Sequence, residues 1–301
     1  MGISVCIATY RRLDRLQVLL GDLANQLLLP SEVVVVDNDA AGSARPVVER
    51  FRQVNASFPI KYEVQPVKNI SLTRNRTVDL AQHEWLAFVD DDERAPDFWL
   101  ERLEAAAREH TADGVLGPVD PVVPDDAPAW IRRGRFYDFP RMKSGSVVPP
   151  NRLRFGNLLL RAARVKKLKV VFDPAYGLTG GEDGDLLSRM TLDGARIVWC
   201  DEALVHEPIE KSRLNLTWLL RRAMRGGQDF ARHSLSGRYG RRPGERVRLF
   251  SRALLQLLTA AVISVLVLPL GRHHAAHWLT KASANMGKLS IFLGWHYREY
   301  A

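Results

Sequence analysis

The sequence predicts an α/β fold in which a mostly parallel sheet carries helices on both faces. Short apolar runs rich in β-branched residues alternate with segments of helical apolar spacing from the start of the chain to the acidic residues near position 90. This β-α-β-α order is typical of a parallel sheet with crossover helices. The chain has 301 residues, of which 46% are hydrophobic, so it can bury a sizeable core.

The elements follow from composition and periodicity. We predict strands at Gly2 to Thr9, Glu32 to Val36, Ile60 to Val64 and Trp85 to Val89, and helices at Leu13 to Leu27, Val47 to Val54 and, after a loop, within Asn69 to Gln82. From about Pro118 to Pro150 the pattern loosens, which indicates one or two long functional loops. Later, regular structure resumes at Phe155 to Arg161, and we predict a helix that starts at Leu186 and a strand at Ala195 to Cys200.

Charge and cysteine content narrow the possible partners and the compartment. Lys and Arg number 43 against 34 acidic residues, a net charge of +9. Such a balance favours nucleic acid, phosphorylated substrates or an anionic membrane as partner. The chain lacks helix-turn-helix, zinc and RNA-recognition signatures, so we expect no nucleic-acid partner.

Cys6 and Cys200 lie in apolar runs, which indicates buried thiols in a reducing compartment. The first strand follows the initiator almost directly, so we expect no signal peptide and a cytoplasmic catalytic part.

The acidic run Asp90-Asp91-Asp92-Glu93 follows the buried strand Trp85 to Val89 directly. In open α/β sheets ligands bind at the carboxyl ends of the strands. Asp90 and Asp92 would project to the same side of an extended chain, where a cation could relieve their repulsion. Carboxylate oxygens are hard ligands that suit Mg²⁺ or Mn²⁺, and these ions commonly also bind the phosphates of a substrate. The alternative is a solvated acidic turn before a helix. Neither GxGxxG nor GxxxxGK[ST] follows an early strand, which argues against a dinucleotide-binding or P-loop enzyme.

With these pieces in order, the chain resembles family 2 glycosyltransferases of the GT-A fold over roughly residues 3 to 225. The matching segments are Thr9-Tyr10-Arg11-Arg12, Val35-Val36-Asp37-Asn38-Asp39, Leu72-Thr73-Arg74-Asn75, Phe88 to Glu93, Gly181 to Asp185 and the late His206. The acidic variant, Gly156-Asn157 and the segment Trp218 to Arg222 are most similar to glucosyltransferases of bacterial exopolysaccharide assembly, of the succinoglycan type. Asn69 and Arg76 depart from the family, which often has Gly at both positions.

The resemblance implies an inverting transfer from a nucleotide-diphosphate sugar, with UDP-glucose as the expected donor. It implies a divalent metal, Mn²⁺ or Mg²⁺, with Asp92 as the direct ligand and His206 completing the site. Asp90 would contact the metal through a water molecule, or would accept hydrogen bonds from the ribose hydroxyls. Asp37 would hold the base or ribose, and Arg74 would lie near the diphosphate. Thr9, Tyr10, Arg12 and Asp91 are the other expected donor-binding residues. The simpler alternatives are an ordinary loop histidine at 206, a capping role for Asp37 and a solvated helix arginine at 74.

The acceptor side is expected around Glu182-Asp183-x-Asp185. By resemblance Asp183 is the general base and Glu182 the next candidate, while Asp185 could also cap the following helix. Gly180, Gly181 and Gly184 would let the backbone approach the sugars. The further residues expected to bind acceptor or diphosphate are Asn157, Asp185, Arg213, Trp218 and Arg222. The alternative for the last three is a basic amphipathic helix on a membrane surface.

The C-terminal part predicts membrane association. Ala253 to Leu270 contains no charged residue, the preceding Arg238 to Arg252 is densely basic, and Ala275 to Trp295 is a milder apolar segment. We predict a helical hairpin that dips into, or spans, the cytoplasmic leaflet of the inner membrane; an oligomer interface or a buried core helix is the alternative.

The expected organisation is therefore a catalytic domain at residues 1–225 and a membrane-association region at residues 226–301. The expected partners are a UDP-sugar, a saccharide linked to polyprenyl diphosphate, and an anionic membrane. A non-catalytic membrane-attached scaffold and a basic nucleic-acid-binding protein are the competing functions.

Overall fold

The structure is a computed structural model that describes residues 1–54, 57–240 and 243–299. The chain divides into two compact units. The first consists of Met1–Asp120 and Phe139–Glu207, and the second of Pro121–Asp138 and Pro208–Glu299. The domain boundary predicted after residue 225 needs correction, because it falls inside the helix Leu216–Leu235 and because residues 121–138 belong to the second unit. Arg241 and Arg242 of the predicted basic run, and Ala301 at the end of the predicted region, lie outside the described residues.

The described strands are β1 (Ile3–Thr9), β2 (Glu32–Asp37), β3 (Ile60–Val64), β4 (Trp85–Val89), β5 (Gly114–Leu116), β6 (Val119–Val122), β7 (Asn157–Arg161), β8 (Ile197–Trp199) and β9 (Val205–Pro208). A seven-stranded sheet has the order β3-β2-β1-β4-β7-β5-β8, and β6 and β9 form a separate two-stranded sheet. In the large sheet only β7 runs antiparallel to its neighbours β4 and β5. The predicted mostly parallel sheet is confirmed.

The described helices are α1 (Leu13–Ala24), α2 (Arg45–Val54), α3 (Ile70–Leu80), α4 (Trp99–Glu109), α5 (Ala129–Gly134), α6 (Ala162–Lys166), α7 (Glu182–Leu192), α8 (Leu216–Leu235), α9 (Glu245–Leu266) and α10 (Arg272–Ser290). Two apolar cores lie on opposite faces of the large sheet. Alternate residues of β1 show the two faces, since Val5 belongs to the core with α1, α2 and α4 while Cys6 belongs to the core with α3, α6 and α7. Helices therefore cover both faces, as predicted.

The second unit is built around α8, α9 and α10, and α10 packs against both other helices. Glycines allow α8 and α10 to approach closely. A Cβ atom on Gly227 would lie 1.9 Å from the carbonyl oxygen of Ala284, and one on Gly287 would lie 2.1 Å from that of Met224. α9 and α10 form the predicted pair of helices, but α9 begins at Glu245 and ends at Leu266, before the 3-10 turn Leu268–Leu270.

Within the part of the chain that the structure describes, α9 is the one helix long and apolar enough to cross a membrane by length and composition. Most of its large apolar side chains are exposed. The exposed fractions are 67% for Leu255, 58% for Leu258, 60% for Val262 and 70% for Val265. The second unit thus presents an apolar helix face that its own helices leave exposed.

Candidate active site

The carboxyl ends of three neighbouring strands meet at one edge of the large sheet. β1 pairs in parallel with both β2 and β4, and Thr9 lies opposite Asp37 in the register. The segments that follow Thr9, Asp37 and Val89 therefore emerge on the same side of the sheet. The sequence placed most of the expected donor-binding residues in these three segments.

The acidic run after β4 forms a turn. The backbone N–H of Glu93 donates to the carbonyl oxygen of Asp90 at 3.1 Å. The expectation that Asp90 and Asp92 project together from an extended chain is therefore wrong, because the chain reverses direction between them. The turn directs Asp91 and Asp92 toward arginines at the start of α1 and Asp90 toward Arg74 of α3.

Asp91 is held by the segment that follows β1. Its carboxylate accepts hydrogen bonds from Thr9 Oγ1 at 2.8 Å and from Arg12 Nη1 at 2.7 Å. Arg12 Nη1 also lies 3.0 Å from Asp92 Oδ2, and Arg15 Nη1 lies 3.7 Å from the same oxygen. Burial, against the pull of the Arg12 charge, raises the pKa of Asp91 to about 6. Thr9, Arg12 and Asp91, expected to bind the donor, thus fix the acidic turn to the end of β1 in this structure.

Asp90 lies among further carboxylates. Its pKa is raised by partial burial, with 42% of the side chain still exposed, and further by the charges of Asp92 and Asp183, while Arg74 acts in the opposite direction. Glu93 is buried and accepts from the backbone N–H of Asp90 at 2.9 Å. Burial, together with the charges of Asp90 and Asp92, raises the pKa of Glu93 well above its usual value. The strand end is therefore crowded with negative charge.

The metal site predicted from Asp90, Asp92 and His206 is not assembled as a trio. Among the residues that the structure describes, no group of three or more His, Cys, Asp or Glu side chains is arranged to hold a metal ion. His206 lies on β9, where its backbone exchanges hydrogen bonds with that of Arg94 at 2.8 and 2.9 Å, so it is not a loop histidine either. Asp90 and Asp92 remain a suitable pair of hard carboxylate ligands, since Mg²⁺ commonly uses one or two carboxylates plus substrate phosphates.

Asp37 caps the chain after β2. Its side chain is fully buried and accepts from the backbone N–H groups of Asp39 at 2.9 Å and Ala44 at 2.7 Å, and from the Tyr62 hydroxyl at 3.0 Å. These three donors take up most of the carboxylate's acceptor capacity. The expected contact of Asp37 with base or ribose is therefore corrected to the capping role, which the sequence had left as the alternative.

Tyr10 is the most exposed of the expected donor-binding residues, with 36% of its surface accessible. Its ring lies between two cations, 5.2 Å from Arg11 Cζ and 5.1 Å from Lys68 Nζ. Arg11 also pairs with Asp39 at 2.9 Å and has φ of 55°. Arg11 belongs to the matching segment after the first strand but was not predicted as a site residue, and Lys68 was not noted at all.

The two departures from the family pattern have local explanations. Asn69 has an extended backbone, with φ of −167°, and its side chain caps α3 by accepting from the Leu72 N–H at 3.0 Å. Glycine is therefore not required there. Arg76 forms a bidentate pair with Glu63 at 2.6 and 2.7 Å on the outer side of α3.

Arg74 is largely buried and bridges two carboxylates. Its Nη1 donates to Glu182 Oε1 at 2.5 Å, its Nη2 donates to Asp90 Oδ1 at 2.9 Å, and its Cζ lies 4.0 Å from the centre of the Phe155 ring. The solvated-arginine alternative is therefore wrong. The expected diphosphate contact stays a prediction.

The acidic acceptor motif forms the first turn of α7. The helix begins at Glu182, four residues earlier than the predicted start at Leu186, and is preceded by Gly180 and Gly181 with φ of 80° and 93°. This left-handed backbone favours glycine. Asp183 is half-buried and accepts from the Gly184 N–H at 2.8 Å.

Two residues expected to bind the acceptor are used inside the first unit instead. Asp185 is 1% exposed and pairs with Arg189 at 2.7 Å. Asn157 is fully buried on β7, where Oδ1 accepts from Trp99 Nε1 at 2.8 Å. Its Nδ2 donates to the carbonyl oxygens of Pro118 at 2.8 Å and Ala203 at 2.5 Å. We therefore correct both expectations, since these polar groups already have buried partners.

The remaining expected acceptor residues lie together in the second unit. The guanidinium groups of Arg213 and Arg222 each lie 5.8 Å from the centre of the Trp218 ring. The ring of Tyr137 lies 5.8 Å from that of Trp218, and its hydroxyl donates to the Arg213 carbonyl oxygen at 2.8 Å. The grouping of an aromatic ring with two arginines is thus present, while its ligand stays a prediction.

Comparisons with known proteins agree with this architecture. The sequence profile described as Glycosyl transferase family 2 matches residues 4–169. The succinoglycan biosynthesis protein ExoM of Rhizobium meliloti (strain 1021) is 36% identical over 269 residues, which cover 87% of this chain and 85% of ExoM.

Two solved structures share the fold. One is S. aureus TarS 1-349 in complex with UDP-GlcNAc, with 20% identity, a TM-score of 0.58 and coverage of 99% of this chain and 93% of that one. The other is the mannosyltransferase PcManGT of Pyrobaculum calidifontis in complex with GDP-Man and Mn²⁺, with 16% identity, a TM-score of 0.62 and coverage of 98% and 76%. With its GT-A-like sheet and its profile match, the chain belongs to glycosyltransferase family 2.

Proposed function

We propose that this enzyme is an inverting glycosyltransferase that moves a sugar from a UDP-sugar to a lipid-linked saccharide in bacterial exopolysaccharide biosynthesis. One observation carries the proposal. The Arg74 guanidinium donates both to Asp90, which follows β4, and to Glu182, which directly precedes Asp183 in the first turn of α7. A candidate base and the acidic strand end thus meet at the edge where ligands bind in such sheets.

Asp183 acts as the general base in this proposal. Its carboxylate takes the proton of the acceptor hydroxyl as the oxygen attacks the anomeric carbon from the face opposite the leaving group. The new carbon–oxygen bond forms while the bond to the diphosphate breaks, and its electron pair leaves with UDP. General-base assistance of this kind contributes about 10²- to 10⁴-fold in rate.

Asp90 and Asp92 would hold a divalent metal, Mn²⁺ or Mg²⁺. The position of both carboxylates in one turn at the end of β4 supports this assignment, because Mg²⁺ and Mn²⁺ prefer hard oxygen ligands. Bound there, the ion would offset negative charge that develops on the departing diphosphate. Arg12, already beside Asp92, would keep that carboxylate oriented. His206 is not required, since two carboxylates and the donor phosphates can supply the ligands.

The donor and acceptor classes are argued from relatives and from charge. TarS has been solved with UDP-GlcNAc and PcManGT with GDP-Man and Mn²⁺, so the fold accepts nucleotide sugars that differ in both base and sugar. ExoM, named for succinoglycan biosynthesis, supports an exopolysaccharide role, and glucose is our proposed sugar from that resemblance. Arg213 and Arg222, which flank Trp218, would bind the diphosphate of a polyprenyl-linked acceptor.

The exposed apolar face of α9 supports attachment to the cytoplasmic face of the inner membrane, as a peripheral or monotopic protein. Arg246, Arg248 and Arg252 stand at the start of this helix, where they would meet anionic headgroups. Truncation would disturb α10, which packs on α9, so point substitutions are the better test.

The membrane test compares substitutions of similar exposure. We expect Leu258→Asn with Val262→Asn to reduce sedimentation with phosphatidylglycerol-containing liposomes several-fold. Leu192→Asn, at a position of α7 that is 60% exposed, is the control and should not reduce it. Equal sedimentation of all three proteins would contradict attachment through α9.

A donor panel tests the proposed reaction. We expect UDP release from UDP-glucose in the presence of Mn²⁺ and a lipid-linked saccharide, and its loss in Asp183→Asn with unchanged melting temperature. Stabilisation by UDP plus Mn²⁺ would separate this enzyme from a scaffold or a nucleic-acid-binding protein, which should not respond. Near-native turnover of Asp183→Asn would exclude this residue as the base.

A further inference from the structure

We propose that Arg74 is a positioning residue that locks the donor-side carboxylate Asp90 to the helix that carries the base Asp183. This inference rests on the proposed transfer reaction. It differs from the diphosphate contact expected from the sequence, because the two sides of the guanidinium face protein carboxylates.

The geometry fixes the guanidinium in three directions. Nη1 lies 2.5 Å from Glu182 Oε1 and Nη2 lies 2.9 Å from Asp90 Oδ1, so the plane of the group is set by two separate partners. The face of the plane is set by the Phe155 ring, 4.0 Å away. Since the Arg74 side chain is 10% exposed, little solvent competes with these contacts.

The two partners belong to opposite sides of the proposed reaction. Asp90 follows β4 on the donor side, whereas Glu182 is the first residue of α7, directly before Asp183. One guanidinium therefore sets the separation between a strand end and a helix start. A displacement of about 1 Å at a reacting centre can cost about 10²-fold in rate.

The same contact reassigns Glu182. Its side chain is 3% exposed and its Oε1 lies against Arg74, which leaves it poorly placed to take a proton from an acceptor hydroxyl. Glu182 acts through Arg74, and Asp183 remains the residue that touches the acceptor. We expect Glu182→Gln to retain partial turnover, about tenfold below wild type, because its amide oxygen still accepts from Arg74.

Arg74→Lys is the decisive variant. A lysine keeps the charge but is a single point donor, so it cannot bridge two carboxylates in a fixed fork. We expect the kcat to fall about 10²-fold while the KM for the UDP-sugar stays within about threefold. In Arg74→Ala we expect millimolar guanidinium chloride to restore part of the kcat, which a purely structural role would not produce.

The matched control is Arg76→Lys, on the same helix. Arg76 pairs with Glu63 and Asp79, neither of which belongs to the proposed site, and its side chain is 39% exposed, so its substitution should leave kcat and KM unchanged. A raised donor KM in Arg74→Lys with unchanged kcat would overturn the proposal in favour of a donor contact. An unchanged kcat and KM would also overturn it. If Asp183→Asn is inactive while Arg74→Lys is normal, only the Arg74 inference fails; if Asp183→Asn is active, the proposed function fails.

Discussion

The buried side-chain amide of Asn157 was expected to bind the acceptor but has a structural role in this fold, and a substitution can distinguish the two. We predict that Asn157→Leu destabilises the protein strongly, whereas a residue that merely contacts the acceptor would change binding alone. Leucine fills a similar volume but supplies neither an acceptor for Trp99 Nε1 nor donors for the carbonyl oxygens of Pro118 and Ala203. Three buried polar groups would lose their partner.

The magnitude follows from those three groups. A buried donor or acceptor left without a partner costs roughly 1–3 kcal/mol, so the substitution should cost about 3–6 kcal/mol after partial relaxation. That is a large share of the roughly 5–15 kcal/mol by which domains are stable. At about 2–4 °C per kcal/mol for a domain of this size, the melting temperature should fall by about 6–24 °C. The site has little room to relax, since a Cβ atom on Gly117 would lie 2.4 Å from Asn157 Nδ2.

Urea unfolding followed by circular dichroism measures this loss, and a double-mutant cycle isolates the pair with Trp99. Trp99→Phe alone leaves the Asn157 oxygen unpaired, so Trp99→Phe with Asn157→Leu should cost less than the sum of the single changes. A loss below about 1 kcal/mol for Asn157→Leu, accompanied by a raised acceptor KM, would refute the structural role and restore the original expectation.

Three further predictions concern packing, pH and thiol chemistry. Gly227→Ala should destabilise the second unit by about 1–3 kcal/mol in thermal unfolding, because its Cβ atom would meet the Ala284 carbonyl oxygen at 1.9 Å. Burial would raise the pKa of Glu32, but hydrogen bonds from Lys61, Ser4 and the Gln82 backbone outweigh it and lower the pKa overall. The ionised Glu32 carboxylate therefore stabilises the folded protein at pH values above the usual carboxyl pKa, and this stabilisation is lost as the pH falls. The difference in unfolding free energy between wild type and Glu32→Gln should shrink between about pH 6 and pH 3. Burial raises the pKa of Cys6 to about 12 and of Cys200 to about 11, so iodoacetamide at about pH 8 should label the native protein very slowly.

Each of these has its own control. Gly226→Ala, at the neighbouring position where a Cβ atom would have nothing within 4 Å, should be neutral or slightly stabilising. Equal destabilisation by both changes would contradict the packing argument. A difference in unfolding free energy between wild type and Glu32→Gln that stays constant across the pH range would contradict the lowered pKa of Glu32. Urea-unfolded protein should take up two equivalents of iodoacetamide, and rapid labelling before unfolding would show that the thiols are accessible.

Local patterns predicted the sheet well because each buried strand is a continuous β-branched run. Ile60–Val64 and Trp85–Val89 have the predicted bounds, and the acids after β4 stand at the expected edge. The helix α4 was not predicted, although its buried Trp99 and Leu103 show helical spacing. The short strand that carries His206 has no apolar alternation by which the sequence could have revealed it.

Roles within the site were harder to predict than positions. Asp37 stands where a ligand-binding acid was expected, but it caps the chain after β2. An aspartate at the end of a strand can either cap a turn or hold a ribose, and the sequence is the same in both cases. Asn157 was misread for a related reason, and the carboxylate partners of Arg74 were not foreseen. Their partners, Trp99 and Glu182, lie 58 and 108 residues away along the chain, so no local pattern could show that their polar groups are already used.

The path of the chain through the second unit has a consequence for its synthesis. Residues 121–138 contribute Ala127, Ile131 and Tyr137 to an apolar cluster whose other members, Ile209, Leu214 and Leu219, follow much later in the sequence. At the usual ribosomal rate of roughly 5–20 residues per second, this segment emerges several seconds before its partners. During that interval its apolar side chains have no native neighbours from the later part of the cluster. The nascent chain therefore exposes this apolar segment to aggregation until α8 leaves the ribosome.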